Sequence, residues 1–183
     1  MRILFLHGLE SQVGCEKVQY LEKLGHSVQN PGIDYRDKNS YEKLYNTIKH
    51  DKYDVIIGSS MGGWFAWHLG KELSTPVLLL NPALHSRMIE PLMEISNFYR
   101  IGSWVEEERE RSSVFLALGR LDDVIDPKET LEWISDHDNN SLSCMTIMVD
   151  DYGHRTDVKN FQKIFNRFKL DIIETNELQP KLV

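Results

Sequence analysis

The segment Gly58-Ser59-Ser60-Met61-Gly62 constrains the fold of this chain more than any other feature. It follows directly on the apolar run 53–57 and precedes a helical pattern. Glycines two residues before and two residues after Ser60 allow a sharp turn from strand to helix, because a Cβ at either position would crowd the turn. Such a turn lifts the Ser60 hydroxyl clear of the sheet. A frame centred on Ser59 would place larger side chains at both positions, so the spacing selects Ser60.

Short apolar runs alternate with helical patterns along the whole chain. Nearly continuous apolar runs are typical of parallel strands that are covered on both faces. Helical spacing between them is clearest at Phe161, Phe165 and Phe168. The alternation predicts one α/β domain with a parallel sheet over residues 1–170, followed by a tail over residues 171–183. The strand candidates are residues 3–6, 27–29, 55–57, 77–80, 114–118 and 145–149.

Size, charge and cysteine content limit the class of protein. A chain of 183 residues is long enough to bury the core of one full domain. The net charge of −7 disfavours nucleic acid and anionic membrane surfaces as partners. We expect no membrane span, because no apolar run approaches the roughly 18 residues that one needs. The two distant cysteines, Cys15 and Cys144, and the absence of a recognisable secretory signal predict a cytoplasmic protein with reduced thiols.

Candidate partners for the Ser60 hydroxyl follow two later strands. A serine is a weak nucleophile unless a base accepts its proton and a third group orients that base. His154, in a Gly-His turn after the last strand candidate, is the predicted base. Asp122, the first carboxylate after the fifth strand candidate, is the preferred orienting acid, and its neighbour Asp123 is the alternative. We interpret Asp126, which precedes a proline, as a helix N-cap.

The same chemistry requires N–H donors for a developing oxyanion. The backbone N–H of Met61, the residue after the nucleophile, is one candidate. The N–H of Leu9, in the loop that reads Leu6-His7-Gly8-Leu9 after the first strand candidate, is the other. We expect His7 to brace this loop rather than to act as a base.

Five motifs taken together resemble the YqiA-like group of small bacterial esterases, across almost the whole chain. The resemblance implies a minimal α/β-hydrolase fold of about six mainly parallel strands flanked by helices, with a short helical insertion before the fifth strand. It also implies a catalytic triad of Ser60, Asp122 and His154. The oxyanion hole that it implies is formed by the N–H groups of Leu9 and Met61. The motifs are Leu6-His7-Gly8, Gly58-Ser59-Ser60-Met61-Gly62-Gly63, Leu80-Asn81-Pro82-Ala83, Asp122-Asp123-Val124-Ile125-Asp126 and Gly153-His154.

We therefore expect a serine hydrolase that cleaves carboxylic esters or thioesters of small to medium acyl groups through an acyl-enzyme. No His-Glu-x-x-His motif, paired Cys-x-x-Cys motif or phosphate-loop ending occurs in the sequence, so we expect neither a metal nor a cofactor. Two other classes stay open. One is an acyltransferase that uses the same triad, and the other is a catalytically silent binding protein of the same fold.

The connection over residues 84–113 is longer than the others and rich in methionine and aromatic residues. We expect it to form two or three short helices. Its apolar side chains are compatible with a lid whose inner face contacts an acyl chain, and equally with an ordinary helix core.

Overall fold

The structure of the chain is a computed structural model, and it describes residues 1–85, 113–137 and 145–178. Within these ranges, strands and helices alternate up to the fourth strand and again from the fifth strand onward. The strands are β1 (Arg2–Leu6), β2 (Ser27–Gln29), β3 (Val55–Ser59), β4 (Val77–Leu80), β5 (Val114–Gly119) and β6 (Met145–Asp150). The helices are α1 (Glu16–Lys23), α2 (Ser40–Ile48), α3 (Met61–Glu72), α4 (Pro127–His137) and α5 (Val158–Leu178).

The six strands form one sheet in the order β2-β1-β3-β4-β5-β6, and every neighbouring pair is parallel. The predicted α/β fold with six parallel strands is therefore confirmed. Some strands run one or two residues beyond their apolar runs. Ser59 still pairs with Leu80, and Gly119 pairs with Asp150. These strand ends are set by backbone pairing with a neighbouring strand, and the hydrophobicity of a residue does not indicate whether its backbone is paired.

Side chains alternate between the two faces of the sheet, and both faces are covered. Leu4 and Leu6 of β1 belong to a core cluster with side chains from α2, α3 and α4. Ile3 and Phe5 of the same strand belong to a second cluster with side chains from α1 and α5. These four side chains are at most 1% exposed, which explains why the central strands read as continuous apolar runs.

The structure bears on the predicted C-terminal tail but not on most of the predicted insertion. The last helix continues to Leu178, past the boundary at residue 171 where the sequence pattern fades. Partly buried Ile172 still packs against the second core cluster, which accounts for the extension. Of the predicted insertion over residues 84–113, only 84, 85 and 113 lie within the described residues, so the lid and the helix core both stay predictions. No described helix is both long enough and apolar enough to cross a membrane.

The start of α3 crosses the ends of β1 and β3 at very short range. A methyl group on Gly62 would overlap the carbonyl oxygens of Leu6 and His7. A Cβ on Gly58 would lie 2.6 Å from the Cβ of Ala66 one turn into α3. Real Cβ atoms do not approach their neighbours this closely, so only glycine fits at both positions.

We expect Gly62→Ala to lower the free energy of unfolding by about 3 kcal/mol or more, because its clash is with backbone that cannot rotate away. Urea unfolding monitored by circular dichroism measures this. Gly32→Ala is the matched control, since a Cβ there would lie 3.5 Å from Val13, an ordinary contact. Its effect should stay within about 1 kcal/mol. Equal losses in the two variants would contradict the close crossing.

Candidate active site

The three side chains that the sequence singles out all follow the carboxyl ends of parallel strands. Ser60 follows β3, Asp122 lies in the turn after β5, and His154 lies in the loop after β6. The carboxyl ends of parallel strands share one edge of the sheet, and the structure brings the three side chains together there.

Ser60 sits on a strained turn between β3 and α3. Its φ of 53° and ψ of −118° are unusual for a residue other than glycine. Its N–H donates to Leu80 O at 3.0 Å, and its carbonyl accepts from the N–H groups of Gly63 at 2.9 Å and Ala83 at 3.0 Å. These backbone hydrogen bonds fix the turn on both sides of Ser60. They therefore also fix the position from which its partly buried side chain projects.

The His154 ring lies between the hydroxyl and the carboxylate. Its Nε2 is 3.2 Å from Ser60 Oγ. Its Nδ1 is 2.9 Å from Asp122 Oδ2 and 3.1 Å from Oδ1. An ionised carboxylate only accepts hydrogen bonds, so the Nδ1 proton faces Asp122 and the Nε2 lone pair faces Ser60. This tautomer is the one that accepts a proton from the serine.

Asp122 is a buried carboxylate with several donors. Its side chain is 1% exposed, and its Oδ1 accepts from the N–H groups of Val124 and Ile125, both at 2.9 Å. Burial is the largest influence on this carboxyl and acts to raise its pKa. The hydrogen bonds from His154, Ile125 and Val124 act in the opposite direction and outweigh burial, so the pKa of Asp122 lies below its ordinary 3.8.

The two neighbouring carboxylates of the same turn lie elsewhere. Asp123 is exposed, and the His154 ring contacts Asp122 instead. Asp126 directly precedes α4, and its Oδ1 accepts from the N–H of Lys128 at 2.8 Å, as the N-cap interpretation requires. The three aspartates therefore have different surroundings: Asp122 contacts the His154 ring, Asp123 is exposed, and Asp126 caps α4.

The loop after β1 lies against the serine. A Cβ on Gly8 would be 3.4 Å from Ser60 Cβ. The Gly8 carbonyl accepts from the N–H of Ser11 at 3.0 Å and from His7 Nδ1 at 2.7 Å. In a trans peptide the following N–H points away from the carbonyl. The Leu9 N–H is thereby directed away from both donors.

His7 is held on every side, as expected for a bracing residue. It is 5% exposed, and its Nε2 accepts from the N–H of Ile33 at 3.2 Å. The Tyr35 hydroxyl donates to the His7 carbonyl at 2.5 Å. Because one ring nitrogen is engaged by Gly8 of its own loop and the other by Ile33, which lies between β2 and α2, His7 is not available to Ser60 as a base.

The Met61 N–H opens α3, directly after Ser60. The first N–H groups of a helix have no carbonyl partner within the helix, and the helix dipole adds partial positive charge there. The N–H of Met61 directly follows Ser60, and the N–H of Leu9 belongs to the loop whose Gly8 lies against Ser60.

Asn81 enters the sequence prediction only as part of a motif, with no role assigned to it at this edge. Asn81, the first residue after β4, is 1% exposed, and its side-chain amide bonds the last residue of β5 and the loop that carries His154. The available signal was a polar residue directly after an apolar strand, at the edge where the other candidates also lie. Among the described residues, no group of three or more His, Cys, Asp or Glu side chains is placed to hold a metal ion.

Comparisons with known proteins agree with this geometry at the level of family and fold. A family model described as an uncharacterised protein family, UPF0227, matches residues 2–169. A search of curated proteins found no significant match. Many solved structures match, and three are representative.

A putative hydrolase from Agrobacterium vitis S4 is 18% identical, with 93% of this chain and 88% of that chain covered and a TM-score of 0.64. The esterase PF2001 of Pyrococcus furiosus is 17% identical, with 94% and 81% covered and a TM-score of 0.62. Acyl-protein thioesterase 2 of Zea mays is 15% identical, with 93% of each chain covered and a TM-score of 0.54. Together they show that this chain has the α/β-hydrolase fold.

We expect the stability contribution of Asp122 to depend on pH. A carboxyl whose pKa is lowered by folding stabilises the folded chain above its ordinary pKa, and this contribution disappears as the pH falls through the lowered value. The difference in free energy of unfolding between the wild type and Asp122→Asn should therefore shrink between about pH 5 and pH 3, as measured by urea unfolding. Ser60→Ala removes no carboxyl, so its difference from the wild type should stay constant over this range. A constant difference for Asp122→Asn as well would contradict the assigned shift.

Proposed function

The chain belongs to the UPF0227 family, and we propose that it is a serine hydrolase that cleaves carboxylic esters or thioesters of small to medium acyl groups. Membership confirms the resemblance to the YqiA-like proteins. One observation carries the proposal: a continuous line of contacts runs from Ser60 Oγ through His154 to the buried carboxylate of Asp122. The fold-level neighbours include an esterase and a thioesterase, which favours the same kind of reaction.

In the proposed reaction, Ser60 Oγ attacks the acyl carbon while His154 Nε2 accepts the hydroxyl proton. Asp122 holds the imidazole in the required tautomer and stabilises the imidazolium that forms. The imidazolium then protonates the leaving group, and an acyl-enzyme remains on Ser60. A water molecule, deprotonated by the same nitrogen, releases the acid and restores the hydroxyl.

The oxyanion of each tetrahedral intermediate would be held by the N–H groups of Leu9 and Met61. Each such donor typically contributes about 3 kcal/mol to transition-state stabilisation. Support comes from the placement of Gly8 against Ser60 and from the helix start at Met61. Both donors are backbone groups, so their orientation depends on the glycine-rich crossing and on His7 rather than on flexible side chains.

The proposal needs no metal and no cofactor, and its partner is a small-molecule ester or thioester. The cytoplasmic location expected from the sequence stays a prediction. The identity of the acyl acceptor separates hydrolysis from acyl transfer. Product analysis with and without an added alcohol distinguishes the two, because a transferase forms a new ester at the expense of the free acid.

We expect a fluorophosphonate probe to label Ser60, and we expect Ser60→Ala to remove both labelling and hydrolysis of p-nitrophenyl butyrate. The loss of turnover should be about 10⁴-fold or more, since the nucleophile is gone. Peptide mass spectrometry locates the label. Ser59→Ala is the matched control at the adjacent position and should keep both properties. Unchanged turnover in Ser60→Ala would exclude the proposed mechanism, and a wild type that shows neither labelling nor turnover would favour a silent binding protein.

The two neighbouring aspartates should differ sharply in their effect on ester turnover. Asp122→Asn keeps the shape of the side chain but favours the wrong imidazole tautomer, so we expect a loss of about 10³- to 10⁴-fold. Asp123→Asn changes an exposed side chain and should leave turnover close to that of the wild type. Steady-state kinetics on both purified variants measures the contrast. Equal losses would remove Asp122 from its assigned role.

A further inference from the structure

Asn81 occupies a strained and buried position at the centre of the site's edge. It follows β4, the strand between those that lead to Ser60 and to Asp122. Its φ of 43° places it in the left-handed region, which asparagine tolerates better than most other residues. Its N–H donates to Ala117 O of β5 at 2.9 Å, so its backbone is fixed to the next strand.

The Asn81 amide uses both its oxygen and its nitrogen to join the end of β5 to the loop after β6. Its Oδ1 accepts from the N–H of Gly119 at 2.7 Å. Its Nδ2 donates to the carbonyls of Gly153 at 3.1 Å and His154 at 3.0 Å. Only the oxygen accepts from an N–H, and only the nitrogen donates to carbonyls, so the orientation of the amide is determined by its partners.

The contacts of Asn81 and its neighbours extend to the backbone of each proposed triad member. The Gly119 carbonyl accepts the Asp122 N–H at 3.1 Å, which links the amide to the turn of the acid. The carbonyl of His154 is itself a partner of Nδ2. Two residues after Asn81, the N–H of Ala83 donates to the Ser60 carbonyl at 3.0 Å.

The loop that carries His154 follows β6, an edge strand that pairs with β5 alone among the described strands. Asp122 orients the ring from one side, but it does not fix the backbone from which the ring projects. The two bonds from Asn81 Nδ2 hold that backbone directly. A displacement of about 1 Å between reacting groups lowers a rate by about 100-fold, so this restraint has consequences for the reaction.

We propose that Asn81 is a positioning residue that aligns His154 with Ser60 by clamping the loop of the base to the turn of the acid. The inference rests on the proposed serine-hydrolase function. It goes beyond a packing role, because an asparagine that only stabilised the fold would change how much protein is folded but not how well each folded molecule works.

Two substitutions separate the parts of the clamp. Asn81→Gly keeps the left-handed backbone without strain and removes all three side-chain hydrogen bonds. Asn81→Asp retains an acceptor for the N–H of Gly119 but places a carboxylate oxygen against the carbonyls of Gly153 and His154. Ser74→Gly is the matched control, since Ser74 has a φ of 48°, is exposed and lies at the end of α3 away from the site.

The measurement is kcat for p-nitrophenyl butyrate per active site, with active sites counted by fluorophosphonate labelling so that unfolded protein does not contribute. We expect both Asn81 variants to lose about 10- to 100-fold in kcat with little change in KM. Ser74→Gly should match the wild type. A second readout is the proton NMR signal of the hydrogen-bonded His154 Nδ1–H, which should shift or broaden in both Asn81 variants.

Wild-type kcat per active site in the Asn81 variants, with an unchanged imidazole signal, would overturn the inference, even if the variants were less stable. If Asn81→Gly does not fold, Asn81→Asp provides the same comparison. Failure of the proposed function is recognised separately: Ser60→Ala would then keep wild-type turnover. In that case the NMR signal still reports whether Asn81 positions the ring.

Discussion

The close crossing of α3 over the ends of β1 and β3 is the steric constraint on which the rest of the structure depends. The absence of a side chain at Gly62 lets the helix begin against the carbonyls of Leu6 and His7. The same contact sets the Met61 N–H, the Gly8 loop and the Ser60 hydroxyl within one small volume. The packing of the helix and the formation of the proposed oxyanion hole therefore both require this close approach. Gly58 and Gly62, one on each side of the serine, make it possible.

A second constraint is electrostatic. A carboxylate buried to the extent of Asp122 is unfavourable unless donors surround it. The N–H groups of Val124 and Ile125 and the His154 ring supply these donors, so the charge persists where the imidazole needs it. The turn after β5 thus stabilises a buried charge beside an imidazole, an arrangement that is common at functional sites.

Local signals in the sequence predicted much of the fold and the three central side chains. Short runs rich in β-forming residues located each of the described strands, and the glycine spacing selected Ser60. The order of Asp122 and His154 along the chain was informative, because both directly follow strands of a parallel sheet. In each case the structural feature depends on residues that are adjacent in the sequence, so a short segment is enough to predict it.

Features that depend on distant partners were not predictable in this way. Pairing of Gly119 with Asp150 extends two strands past their apolar runs. Packing of Ile172 extends the last helix beyond the visible pattern. The partners of Asn81 lie 38 to 73 positions away in the chain, so no local pattern reveals its bonds.

The position of β6 at the rim of the sheet has a consequence for how this molecule loses function. The strand that leads to His154, the proposed base, pairs along one side among the described residues, whereas the strands that lead to Ser60 and Asp122 lie within the sheet. Local unpairing of β6 from β5 would move the His154 ring away from Ser60 while the interior of the domain stayed folded. The proposed hydrolase activity would then disappear at a lower denaturant concentration than the one that unfolds the core, and it would return once β6 paired with β5 again.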